Sequence, residues 1–114
     1  MQLEAKKYLF DMRRAAGLVA EFTAGLTFED YQQRAIVRAA VERELQIVGE
    51  ALAQLTKLDA VLAGKISDQR RIIAFRNILV HGYADVDDRL VWDVATTKLP
   101  ALRAELDVLL PPER

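Results

Sequence analysis

Cysteine is absent from this chain, which excludes disulfides and thiolate metal sites and leaves the fold to rest on buried aliphatic surface. Proline is scarce at 3 residues and glycine at 5. Two of the prolines, Pro111 and Pro112, stand in the tail, and no linker, low-complexity run or internal repeat interrupts the rest. No stretch approaches the roughly 20 uninterrupted apolar residues of a membrane span. Excess charge of one sign is missing too. The net charge is −1, whereas binding along a nucleic-acid duplex by broad phosphate neutralisation calls for a strongly basic surface. Any contact with RNA therefore has to be local, or built between subunits.

What is present is ordinary for a folded domain: 52% apolar and 29% charged residues in a chain of 114. That length suffices for one hydrophobic core, and residues 1–114 read as a single helical domain. The opening Met1-Gln2-Leu3-Glu4-Ala5-Lys6-Lys7 mixes acid and base before any apolar run, unlike a secretory signal. With the lack of cysteine, this sets the expectation of a cytoplasmic protein.

Apolar spacing predicts helices almost throughout. Leu9, Met12, Ala16, Val19 and Ala20 mark a first helix over about Leu3 to Phe22. Gly25 ends that region, and Thr27 is the expected N-cap of a second, long helix reaching about Leu55. That helix is apolar on more than one side, as a helix central to a bundle or facing another subunit is. A short turn or helix over Leu58–Leu62 stops at Gly64. The third main helix starts after Ser67 or Asp68 and ends before Gly82. A fourth runs from near Arg89 to about Leu110, with Pro100 as a kink or restart. The expectation is an all-α, antiparallel four- to five-helix bundle.

The stretch Phe75-Arg76-Asn77-Ile78-Leu79-Val80-His81-Gly82-Tyr83 contains the single histidine. On a helix, Ile72, Phe75, Ile78 and Leu79 form a stripe expected to face the core, with Ile73 and Val80 on the other side. Asn77 and His81 are neighbours at four residues' spacing. Arg76 and His81 lie roughly 140° apart around the axis. A second, partly apolar face set with Arg, Asn and His resembles half of an interface. A two-fold dimer would bring two arginines and two histidines into one cleft.

Such a cleft can cleave RNA without a metal. Histidine serves as acid or base near neutral pH. Arginine stays charged and meets phosphate oxygens with two parallel donors. With one histidine per chain, acid and base come from both subunits, or one role falls to water. A lone histidine near a helix end also suits a structural cap, and Arg76 alone suits a surface charge. Lys65, Arg70 and Arg71 precede the motif and would guide RNA, or simply form a solvated face. Glu50 would orient Arg76, or simply stand on the helix surface. Asp85, Asp87 and Asp88 lack the glycine and terminal glutamate of a calcium loop and read as a turn and helix cap. No metal site is expected.

The segment Arg76-x-x-x-x-His81-x-Tyr83 resembles the signature of HEPN-domain toxins, specifically the HepT group paired with minimal nucleotidyltransferase antitoxins. Ile47-Val48-Gly49-Glu50-Ala51 resembles the group's Ile-Gly-Glu segment, and Val91-Trp92-Asp93 and Leu99-Pro100-Ala101-Leu102 its C-terminal elements. The tryptophan that usually precedes the signature helix is missing, replaced by Ser67-Asp68-Gln69-Arg70-Arg71. The resemblance implies a homodimeric, metal-independent endoribonuclease, the toxin of a type II or type VII toxin–antitoxin module. Arg76 and His81 would be the catalytic pair and Asn77 a supporting polar residue. Tyr83 would be adenylylated by the partner nucleotidyltransferase, with ATP serving only as AMP donor and no cofactor otherwise. The same residues leave open a non-catalytic helical module that binds a nucleotidyltransferase, or the antitoxin of such a pair.

Overall fold

The computed structural model describes residues 1–111, apart from the side chain of Tyr83; Pro112 lies outside the described residues. Among them there is no strand, and helices account for nearly every position. In chain order these are α1 (Leu3–Thr23), α2 (Phe28–Gln33), α3 (Ala35–Leu58), α4 (Ala60–Ala63), α5 (Gln69–His81), a 3₁₀ turn (Tyr83–Asp85), α6 (Asp88–Asp93), a π segment (Val94–Lys98) and α7 (Leu99–Leu109).

The core forms where small and branched residues recur at helical spacing. α1 contributes Ala5, Leu9, Met12, Ala16 and Val19; α3 contributes Val41, Leu45, Val48, Leu52 and Leu55. Alanines on α1 let the two long helices approach closely, and α7 closes the other side with Leu99, Leu102 and Leu106. The molecule measures 42 × 32 × 19 Å. Its short dimension is about two helix diameters, so it is a slab, with helices on its edges covered on one side only.

The long second helix expected from Phe28 onward is broken at Arg34, whose backbone is extended (φ −111°, ψ 92°). Periodicity runs through the break, but the two pieces have different partners. Tyr31 of α2 is fully buried, its ring 5.4 Å from that of Trp92 in α6, while α3 packs against α1 and α5. Tertiary packing overrides the weak preference of Gln32-Gln33-Arg34 for a continued helix. The Arg38 guanidinium donates to the exposed carbonyl of Gln32 at the break. Thr27 caps α2 in a reciprocal capping box with Asp30, as its position predicted. Gly25 takes φ +74°, a turn conformation that suits glycine.

Toward the C-terminus, Asp87 caps α6 by accepting from the N–H groups of Arg89 and Leu90. This is the cap role read from the Asp85-Val86-Asp87-Asp88 run, and no group of metal-ligating residues occurs among the described residues. Pro100 stands in the first turn of α7, at the restart that its position allowed. Ahead of it the helix widens into a π segment, where Leu99 N–H reaches the Val94 carbonyl. No described helix is long and apolar enough to cross a membrane.

Candidate active site

α5 carries the Arg76–His81 segment and is held at its start by a contact distant in sequence. The Glu105 carboxylate of α7 accepts from both the backbone N–H (3.2 Å) and the hydroxyl (2.7 Å) of Ser67. Asp68, the N-cap, takes a left-handed conformation at φ 59°. Along its length α5 packs chiefly on α3, and Leu79 is its single fully buried residue among those described. Ile72, Ile73 and Phe75 are half-buried against the core. Ile78, expected in the core stripe, is instead 48% exposed, because α5 sits on the slab edge and no third helix covers that side.

The outward face follows from helix geometry. Arg70, Asn77 and His81 fall within about 40° of one another, opposite Leu79, and Ala74 lies just beside them. All four are exposed, and Val80 beside them is 41% exposed. Neither Asn77 nor His81 has a side-chain hydrogen bond to another described residue. Arg71 is exposed on the first turn of α5, and Lys65 on the turn before it. α5 contains three arginines and no acidic residue, in a chain of net charge −1, so positive charge is concentrated on this edge.

Arg76 lies on the flank of α5 nearest α3, and glycine makes room for it. A Cβ at Gly49 would fall 2.3 Å from Arg76 Cβ and 2.7 Å from its Cγ, closer than packed atoms come. The arginine stem thus crosses directly over the α3 backbone. Its guanidinium meets the Glu50 carboxylate at 3.4 Å, and Gln54 Nε2 donates to the same carboxylate at 3.1 Å. The Arg76 side chain is 22% exposed and that of Glu50 54%. An ion pair so open to water adds little stability, so its consequence is orientation. Arg76 Nε is buried with no acceptor.

Arg76 and Val80 form one wall of a groove of about 340 Å³, with α3 as floor and Tyr8 and Asp11 of α1 as the opposite wall. Glu50 lines it with Arg76; His81 and Asn77 do not, standing on the outward face about 7.5 Å further along the helix in the case of His81. Within one chain the guanidinium and the imidazole therefore serve adjoining surfaces rather than a single pocket. The backbone of Tyr83 opens the 3₁₀ turn just past the helix; its side chain, the expected modification site, is outside the described residues. Sequence reasoning missed the roles of Gly49 and Gln54 and the presence of Arg43 in the groove. The signal was there in the polar residues Arg43, Gln46, Glu50 and Gln54, which recur every three or four positions.

Comparison with known proteins decides the family. A profile described as ribonuclease HepT-like matches residues 12–109. This chain belongs to the HepT-like family. A HepT-like relative in Thermococcus cleftensis, provisionally named ribonuclease HepT, is 32% identical over 109 residues, covering 96% of this chain and 98% of its own. A provisionally named RNase of Methanocaldococcus jannaschii is 27% identical over 93% of this chain and 96% of its own. Another, from Caldanaerobacter subterraneus subsp. tengcongensis, is 27% identical over 96% of both. No solved structure matches the HepT-like chain with comparable significance.

Proposed function

We propose that the protein is a metal-independent endoribonuclease acting as a homodimer, the toxin of a toxin–antitoxin module whose partner is a minimal nucleotidyltransferase. The observation that carries this reading is the α5 edge of a HepT-like chain. Arg70, Asn77 and His81 stand outward on it, unpartnered, around the small Ala74, with apolar Ile78 and Val80 to either side. A small residue between exposed apolar ones lets a second copy of the helix approach closely across a two-fold axis. Two imidazoles then meet over the axis, and the two Arg76 grooves open on either side.

In that cleft a ribose 2′-hydroxyl attacks the adjacent phosphorus. One His81 takes the hydroxyl proton, and the other gives a proton to the departing 5′-oxygen, leaving a 2′,3′-cyclic phosphate. Arg76, oriented by Glu50, balances the charge that builds on the phosphate oxygens, with Asn77 a neutral donor beside it. Arg70, Arg71 and Lys65 draw the strand to the edge. The partner silences the enzyme at Tyr83: the phenol oxygen attacks the α-phosphorus of ATP, pyrophosphate leaves, and the AMP group sets an anion beside the cleft, repelling RNA by charge and volume.

The test is cleavage of a short RNA in EDTA by wild type, His81→Ala and Arg76→Ala. The proposal expects cutting by wild type that ends in cyclic phosphate, with losses of at least about a hundredfold in each variant. Cleavage by His81→Ala at the wild-type rate overturns it, as does an inert unmodified wild type.

A further inference from the structure

The groove beside Arg76 has a cation that the chemistry above leaves unused. Arg43 lines it from α3, exposed to solvent. The residues three and four positions away on α3 are Ala39, Ala40, Gln46 and Ile47, so no carboxylate within one turn on its own helix face neutralises it. It makes no ion pair or hydrogen bond with a described residue, whereas Arg76 is paired with Glu50. The acids lining the groove are both engaged elsewhere: Glu50 by Arg76, and Asp11 by Lys7 at 3.9 Å. Of the two cations and two carboxylates that line the groove, Arg43 is therefore the one without an ion pair. It stands seven residues before Glu50, about 10 Å along the helix axis from the Arg76 end.

We propose that Arg43 is a phosphate-positioning residue that binds a phosphodiester flanking the one being cut, so that a single strand of RNA lies along α3 between α1 and α5. The inference rests on the reading that Arg76 faces the scissile phosphate. A guanidinium with no competing carboxylate presents a full pair of donors to phosphate oxygens. Gln46 adds a neutral donor along the same floor, beside the Gln54 amide that holds Glu50, and Tyr8, with Lys7 Nζ 5.6 Å from its ring centroid, stands in the far wall. The space of about 340 Å³ suits a nucleotide-sized group, at the small end of binding sites, and not a duplex. A local site of this kind also agrees with a net charge of −1.

The experiment uses the full chain with His81→Ala, which stops cutting, and follows a short labelled single-stranded oligoribonucleotide by fluorescence anisotropy over a series of KCl concentrations. Adding Arg43→Ala should weaken binding about tenfold and flatten the slope of log affinity against log salt by roughly 0.7, one contact's worth for a single strand. Arg43→Lys should recover the slope. In the active protein, Arg43→Ala should raise KM about tenfold while kcat changes less than about twofold, the mark of lost uniform binding. AMP at millimolar concentration should compete poorly, since one phosphate cannot span the groove. An unchanged slope and KM in Arg43→Ala beside a cleaving wild type would overturn the inference. AMP binding as tightly as the oligonucleotide, in an Arg43-dependent way, would overturn it too, by marking a free-nucleotide site. A wild type that binds RNA through Arg43 and cuts nothing would instead sink the ribonuclease reading and leave Arg43 as an RNA contact.

Discussion

At the scale of single residues, the separation between Gly49 and Arg76 sets the terms. Gly49→Ala would place a methyl 2.3 Å from Arg76 Cβ, so the arginine stem or the whole of α5 has to move. Overpacking of this kind costs about 1–3 kcal/mol, more than the helix propensity gained by alanine. Lower thermal stability and a loss of RNA cleavage of at least about tenfold should appear together, since about 1 Å of misplacement is enough for such a loss. Gly17, in the middle of α1, has open space where a Cβ would stand, with no atom within 4 Å. Gly17→Ala should therefore stabilise by about 1 kcal/mol without touching cleavage. Glu42 supplies a prediction in pH. Burial lifts its carboxyl above the usual carboxylate range, Asp88 adds to this and Arg38 opposes it. Because the folded-state value is the higher one, the stability this group contributes is present below the ordinary carboxylate range and lost as pH rises through the raised value. Glu42→Gln should therefore melt above wild type at neutral pH, and the gap should close toward about pH 4.

At the scale of elements, α5 has the thinnest attachment of the long helices α1, α3, α5 and α7. Leu79 is its one fully buried side chain among the described residues, and the Ser67–Glu105 contact ties down its entry. Leu79→Ala should cost about 2–5 kcal/mol. Amide exchange should speed up first in α5, with α1 and α3 following only at global unfolding. This element also shows what the sequence makes legible. Its length, its cap region at Ser67-Asp68 and its stop before Gly82 are local properties, written in the order of residues. Which flank is covered is not local. The stripe Ile72, Phe75, Ile78, Leu79 has the period of a core face, yet Ile78 is exposed because nothing packs on that edge within one chain. The break at Arg34 is illegible for the same reason: contacts far apart in sequence, Tyr31 and Phe28 on Trp92, separate α2 from α3. Of the candidate site, Arg76, His81 and Glu50 stand out by residue type and by family resemblance. Arg43 does not, and Gly49 stands in the family segment without showing its role, since the meaning of both lies in what another helix brings against them.

At the scale of the whole molecule, a slab 19 Å thick leaves its edge helix half-covered, and that edge is the most basic part of a slightly acidic chain. Arg76 looks into the α1–α3 groove while His81 looks outward, so a single copy does not gather the groups for the chemistry proposed. In the proposed homodimer a second copy would, and the proton given and the proton taken would then belong to different subunits. The decisive measurement follows RNA cleavage in EDTA as wild-type protein is co-refolded with increasing fractions of His81→Ala at fixed total concentration. If both histidines of a shared cleft are needed, mixed dimers are dead and the rate falls as the square of the wild-type fraction. A rate falling in simple proportion to that fraction would show each subunit cutting on its own and would contradict the account.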